Sequence, residues 1–169
     1  MSRAKRSEVE PKWAKLNADG FVPRVPKAHI HVQEKTPLGA SLGLRLTSRH
    51  AVIRQIKAGL PMRSFEHLGR EIALSTSSLA EVAGISPRTL ARRREQGRLT
   101  PAESERVCRL AFLFEKATQV LGAGDEARRW FTTSKTALKG RSPIEYSDTE
   151  VGAREVEDLL GRLEHGVFS

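Results

Sequence analysis

The chain has one cysteine, one tyrosine, two tryptophans and two methionines among its 169 residues. A lone thiol, Cys108, can make no internal disulfide and leaves no second soft ligand for a cysteine-based metal site, so a reducing cytoplasm is the expected setting. Aromatic residues make up 5% of the chain, too little for a large sandwich or barrel core. Long apolar runs are missing as well. The stretch Leu110 to Leu113 falls far short of the roughly 20 residues that span a bilayer, so no membrane association is expected. The start, Met1-Ser-Arg-Ala-Lys-Arg6, is basic but no apolar segment follows it, which argues against a secretory signal. Gly39-Ala-Ser-Leu-Gly43 lacks a following Gly-Lys-Ser/Thr and is no phosphate loop. The histidines are scattered: His29 and His31 lie two apart, with no cysteine or third histidine at ligand spacing, so no metal is expected. Asp148, Glu150, Glu155, Glu157 and Asp158 fit a charged helix face better than a catalytic pair. No catalytic residue, cofactor or enzymatic activity is expected.

What the chain does have is positive charge, formally +9, with an isoelectric point near 10.3. Residues 1–70 hold 14 Lys and Arg against 5 Asp and Glu, whereas residues 125–169 hold 7 against 9. A basic front suits a polyanion, and a slightly acidic back suits a different partner.

Residues 1 to about 36 mix Lys and Arg with Gly20, Pro11, Pro23 and Pro26 and show no sustained period. A basic N-terminal extension over 1–47, partly disordered, is expected there. Helical periodicity begins after Ser48 with Val52, Ile53 and Ile56, and Gly59 and Pro61 close it. Phe65, Leu68, Ile72 and Leu74 define a second helix; a third starts after Ser75 and ends at Gly84. A fourth opens at Ser86, with Pro87 in the first helical position, where the missing N–H costs nothing, and ends at Gly97. Thr100-Pro101-Ala102-Glu103 predicts a capping box. The helix behind it carries Val107, Leu110, Ala111, Leu113, Phe114, Ala117 and Leu121, and Cys108 sits in it as a buried, inert thiol. Gly122 and Gly124 break it. Short helices follow at Trp130-Phe131 and Ser142-Pro143, and a last one, capped by Asp148, carries Val151, Val156, Leu159, Leu160 and Leu163. No β-period appears; the fold class is all-α.

The segment Thr76 to Glu95 has the pattern of a helix-turn-helix. Ala80 is the small residue at the crossing, and Gly84, four residues on, suits a turn that needs φ > 0. Ile85 and Leu90 then pin the second helix to the core. With Leu90 inward, Arg88, Ala91, Arg92 and Glu95 fall on the outer face, where an arginine can read guanine in the major groove. Ser86 and Thr89 suit phosphate at the helix N-terminus. Arg93 joins this set as a DNA contact, although such motifs usually place an apolar anchor at that position. The expected DNA-binding residues are thus Ser86, Arg88, Thr89, Arg92 and Arg93.

From about Ile53 to its end the chain resembles the Xre antitoxins of the Xre/MbcA/ParS toxin-binding family. The resemblance is carried by Gly59-Leu-Pro61, by Gly84-Ile-Ser-Pro-Arg-Thr-Leu-Ala-Arg-Arg-Arg94, by Gly97-Arg-Leu-Thr-Pro-Ala-Glu-Ser104 and by Ala127-Arg-Arg-Trp130. Its most specific block runs from Asp148-Thr-Glu-Val-Gly-Ala-Arg154 to Gly166. The resemblance implies a helix-turn-helix domain over 48–121 followed by a small helical toxin-binding domain over 122–169. It also implies a type II antitoxin that neutralises a RES-domain, NAD-degrading toxin, represses its own operator, and forms a homodimer or a larger hetero-oligomer with the toxin. The expected toxin-binding residues are Arg154, Glu157, Leu160, Leu163, Gly166, Val167, Phe168 and Ser169. In the tail, Phe168 has no helix to bury it and stands beside a terminal carboxylate suited to an arginine-lined phosphate position in the toxin's NAD site. Two other readings remain open at this point: a stand-alone helix-turn-helix repressor without a toxin, and a basic RNA-associated protein.

Overall fold

The computed structural model describes residues 37–122 and 124–166. Among them are eight α-helices and no strand: α1 Arg49–Ala58, α2 Met62–Ile72, α3 Thr76–Val82, α4 Pro87–Gln96, α5 Pro101–Leu121, α6 Gly124–Thr132, α7 Pro143–Tyr146 and α8 Glu150–His165. Short 3-10 turns at Ala40–Leu42 and Thr136–Leu138 complete the set.

The helix starts are written locally. Ser48, Ser75, Ser86, Thr100 and Ser142 each accept a hydrogen bond from a backbone N–H three residues on, and Thr100 with Glu103 forms the expected capping box. Each such cap is worth about 1 kcal/mol of helix stability. Two expectations are corrected. Thr149, not Asp148, caps α8 by accepting the Gly152 N–H at 3.1 Å, while Asp148 turns to Arg141 at 3.0 Å. Leu74 lies past α2, because Ala73 takes a left-handed φ of 62° and ends the helix, and the Leu74 N–H reaches back to the Gly69 carbonyl at 2.8 Å.

The 21-residue α5 runs through the middle, with its apolar stripe from Val107 to Leu121 buried as expected. One continuous apolar core surrounds it. Phe65, Leu68 and Ile72 of α2, Leu79 of α3 and Leu90 of α4 pack into the same cluster as Trp130 and Phe131 of α6 and Val156 and Leu160 of α8. Gly122 does end α5 in a left-handed conformation (φ 83°), and the core is continuous past that point. Phe114 and Phe131 meet there with ring centroids 5.8 Å apart.

Residues 1–36 of the expected N-terminal extension lie outside the described residues. Its last part is folded onto α5. The buried Glu115 carboxylate accepts the Ser41 hydroxyl at 2.6 Å and the backbone N–H groups of Ser41 (2.9 Å) and Gly39 (3.2 Å), and Leu42 is 1% exposed. Three donors satisfy the buried carboxylate and tie this last part of the extension to α5.

Candidate functional site

The turn between α3 and α4 is built as the spacing predicts. Gly84 has φ 64°, its N–H donates to the Glu81 carbonyl at 3.0 Å, and the next N–H, of Ile85, donates to Ala80 at 2.8 Å. This pair of bonds satisfies the last carbonyls of α3 and redirects the chain. Ala80 is 2% exposed, so the two helices cross on a small side chain, and Ile85 and Leu90 are buried on the α4 side. Arg106 of α5 adds a further tie by donating to the Ala83 carbonyl at 2.7 Å.

With Leu90 buried, Arg88, Ala91, Arg92 and Glu95 stand exposed on the outer face of α4. Arg88 and Arg92 are one turn apart, the spacing at which neighbouring side chains project together from a helix. The Ser86 hydroxyl is already engaged: it accepts the Thr89 N–H at 3.2 Å and donates to the Thr89 hydroxyl at 3.0 Å. Ser86 is exposed and Thr89 half-buried, so the expected hydroxyl contacts to phosphate rest mainly on Ser86.

Arg93 is not available as expected. Its guanidinium Nε donates to both Glu103 oxygens, at 2.8 and 3.1 Å, and a second nitrogen donates to the Gln96 side-chain oxygen at 2.5 Å. The side chains of the pair are 11% and 8% exposed. Arg93 therefore occupies the apolar-anchor position by neutralising itself against α5, and α4 continues to Gln96. Burial pushes the Glu103 carboxyl up, but the Arg93 bond and the Thr100 N–H and hydroxyl bonds outweigh it and hold the group below the ordinary carboxylate range.

In the C-terminal part of the chain, α8 buries Gly152, Ala153, Val156, Leu159 and Leu160. Leu160 is fully buried and belongs to the core rather than to a partner surface, and Leu163 is half-buried against it. Arg154 and Glu157 are exposed; Arg154 pairs with Glu150 at 3.3 Å and Glu157 with Lys116 of α5 at 3.1 Å. Gly166 closes α8 in a left-handed turn (φ 64°). Val167, Phe168 and Ser169 lie outside the described residues. Val151, expected with the apolar residues of α8, is 69% exposed. The α7–α8 corner is tight: a Cβ on Gly152 would stand 1.9 Å from the Tyr146 carbonyl oxygen. Tyr146 also donates its hydroxyl to Glu155 at 3.0 Å, a bond that pushes the phenol above its usual range.

Periodicity did not single out Glu103 as the partner of Arg93, although its capping-box position was a signal that it faces the N-terminus of α5. Among the described residues no three His, Cys, Asp or Glu side chains stand together as metal ligands, and no helix is long and apolar enough to cross a membrane. Cys108 is buried, and burial, with the Glu115 and Glu105 charges behind it, pushes its thiol up to about 12.

These two regions coincide with two family matches. Residues 51–111 match the antitoxin Xre-like helix-turn-helix domain, and residues 116–166 match the antitoxin Xre/MbcA/ParS C-terminal toxin-binding domain. The Antitoxin Xre of Yersinia enterocolitica serotype O:8 is 36% identical over 135 residues, which is 78% of this chain and 90% of that protein. The Antitoxin Xre of Photorhabdus laumondii is 28% identical over 82% of this chain and 95% of its own length. That of Pseudomonas putida is 34% identical over 48% of this chain. With both domains matched and a relative 36% identical over 78% of its length, the chain belongs to the Xre antitoxin family.

Proposed function

We propose that this chain is the antitoxin of a type II toxin–antitoxin system, acting without catalysis of its own at two separate faces. One face is α4. Arg88 and Arg92 project outward at one-turn spacing from a helix fixed by Leu90 and Ile85, an arrangement suited to bidentate contacts with guanine in an operator's major groove. This exposed arginine pair is the observation that carries the DNA-binding half. Self-association into a dimer follows from the two half-sites that helix-turn-helix proteins commonly read, and the protein represses its own operon through them.

The other face is the C-terminal domain. The partner in this reading is a RES-domain toxin that consumes NAD, met by Arg154, Glu157, Leu163 and the Gly166 turn. Val167 and Phe168 enter its active site and exclude the dinucleotide. Support comes from the exposure of Arg154 and Glu157 and from the resemblance of the block Asp148 to Gly166. The test is co-expression with the product of the adjacent gene while cellular NAD is measured. Full-length antitoxin should copurify with the toxin and preserve NAD. A chain truncated after Gly166 should lose protection while still retarding operator duplex. Full protection by the truncated chain would sink the active-site role of the tail, and no adjacent toxin or no copurification would sink the toxin half altogether.

A further inference from the structure

The loop joining α1 to α2 lies along the loop joining α4 to α5. The Leu99 N–H donates to the Leu60 carbonyl at 2.9 Å, the Met62 N–H to Gly97 at 2.9 Å, and the Arg98 guanidinium to the Gly59 carbonyl at 2.9 Å. A Cβ on Gly59 would stand 2.2 Å from the Leu99 carbonyl oxygen, so the approach is as close as backbone allows. Those contacts gather the last turn of α1, the first turn of α2 and the last turn of α4 at one corner. Arg54 and Lys57 come from α1, Arg63 from α2, Arg94 from α4 and Arg98 from the loop after it, and all five are exposed. Among the described residues, Arg54, Lys57, Arg63 and Arg94 have no carboxylate partner. The α1 helix contains no acidic residue. Glu66 and Glu95 lie within a turn of the corner, and neither forms an ion pair with it.

We propose that this corner is a second nucleic-acid contact, a clamp for the sugar-phosphate backbone of duplex DNA beside the bases that α4 reads. The proposal rests on the DNA-binding reading of α4. Its geometry is simple. The ten residues of α4 span about 15 Å, and the major groove is about 12 Å wide. A helix entering by its N-terminal half brings its C-terminal corner to the far phosphate wall. Five cations, four from three helices and Arg98 from the loop after α4, repel one another in the free protein, and a polyphosphate ridge relieves that repulsion by releasing its own counterions. Such contacts set orientation and affinity and carry no sequence information.

The experiment uses the full chain and fluorescent duplexes, one carrying the protein's own promoter region and one a scrambled copy, titrated across a range of salt. The probe variant is Lys57→Gln/Arg63→Gln/Arg94→Gln, which leaves the Arg98 bond to Gly59 intact. The slope of log affinity against log salt should become shallower by about 2 to 3, at roughly 0.9 per phosphate, and binding at about 0.1 M salt should weaken at least tenfold on both duplexes alike. Arg63→Lys/Arg94→Lys should keep the wild-type slope. If the triple variant melts early, Arg63→Gln alone serves, with a slope change of about 0.9. An unchanged slope, or a loss confined to the promoter duplex, overturns the clamp while leaving Arg88 and Arg92 as readers. If the wild-type chain ignores duplex or prefers RNA, the reading of α4 fails and the clamp fails with it.

Discussion

Arg93 and Glu103 bind each other through both carboxylate oxygens, at 2.8 and 3.1 Å from one guanidinium nitrogen, and so tie the recognition helix α4 to the first turn of the central helix α5. The same carboxylate also accepts the Thr100 N–H at 2.8 Å, so one acid caps one helix and braces another. An ion pair here fixes direction as well as contact, and direction is what a recognition helix needs.

Removing one member of that pair strands the other in a buried place. Arg93→Ala should lower stability by about 3 kcal/mol, read as a drop in the denaturant midpoint, while wild-type melting would show that the pair is dispensable. Acid should act through the same bond. Glu103 titrates below its ordinary value of 4.5 in the folded chain, so its contribution is complete above that value and is lost as pH falls through the depressed one. Glu103→Gln should flatten this part of the acid limb of the stability curve.

Arg88→Ala and Arg92→Ala should each cost about 1–3 kcal/mol of operator binding at one base position, with little change in melting temperature, since both side chains are exposed. A binding-site selection would show relaxed preference at that position. Loss that is equal on every sequence would reassign the residue to phosphate.

Two glycines sit where a methyl group has no room. Gly59→Ala meets the Leu99 carbonyl and also forces a residue with a side chain to φ 80°, and Gly152→Ala meets the Tyr146 carbonyl. Each should destabilise by roughly 3 kcal/mol or more. Gly161→Ala, with nothing within 4 Å, is the matched control and should be neutral or slightly stabilising.

Ala73 closes α2 with a left-handed φ of 62°, a conformation that favours glycine. Ala73→Gly should raise stability by about 0.5–1 kcal/mol despite the added freedom of the unfolded chain. A loss of stability would mean the position is not strained.

Cys108 should resist thiol reagents at neutral pH in the folded chain, because its thiol is buried and titrates at about 12. Labelling should follow the rate of global opening, and fast labelling without denaturant would contradict the packing of α5.

Much of the helix-turn-helix was legible in the sequence because its signals are local. Ser86-Pro87 starts α4, Gly84 makes the turn, and Leu90 against Arg88 and Arg92 follows from the helical period alone. The toxin-binding half was legible mainly as a resemblance. Periodicity in α8 could mark an apolar stripe but could not say whether a stripe residue meets a core or a partner: Leu160 is enclosed by the core, and Val151, equally apolar, is not. Asp148 and Thr149 both suit a helix cap, and the choice went to Thr149 because Arg141, seven residues before Asp148, took the acid.

The sequence by itself determined where most of the helices begin and end and which face of α4 points away from the core, since those features rest on bonds between residues three to five apart. Only the tertiary structure decided which arginines are free. Arg93 was withdrawn by Glu103, Arg106 by the Ala83 carbonyl, and the turn at Ala40–Leu42 was captured by Glu115 from more than seventy residues away. Those partners are brought within hydrogen-bond distance by the packing of separate helices around α5, and a charged side chain's partner depends on that arrangement rather than on its neighbours in the chain.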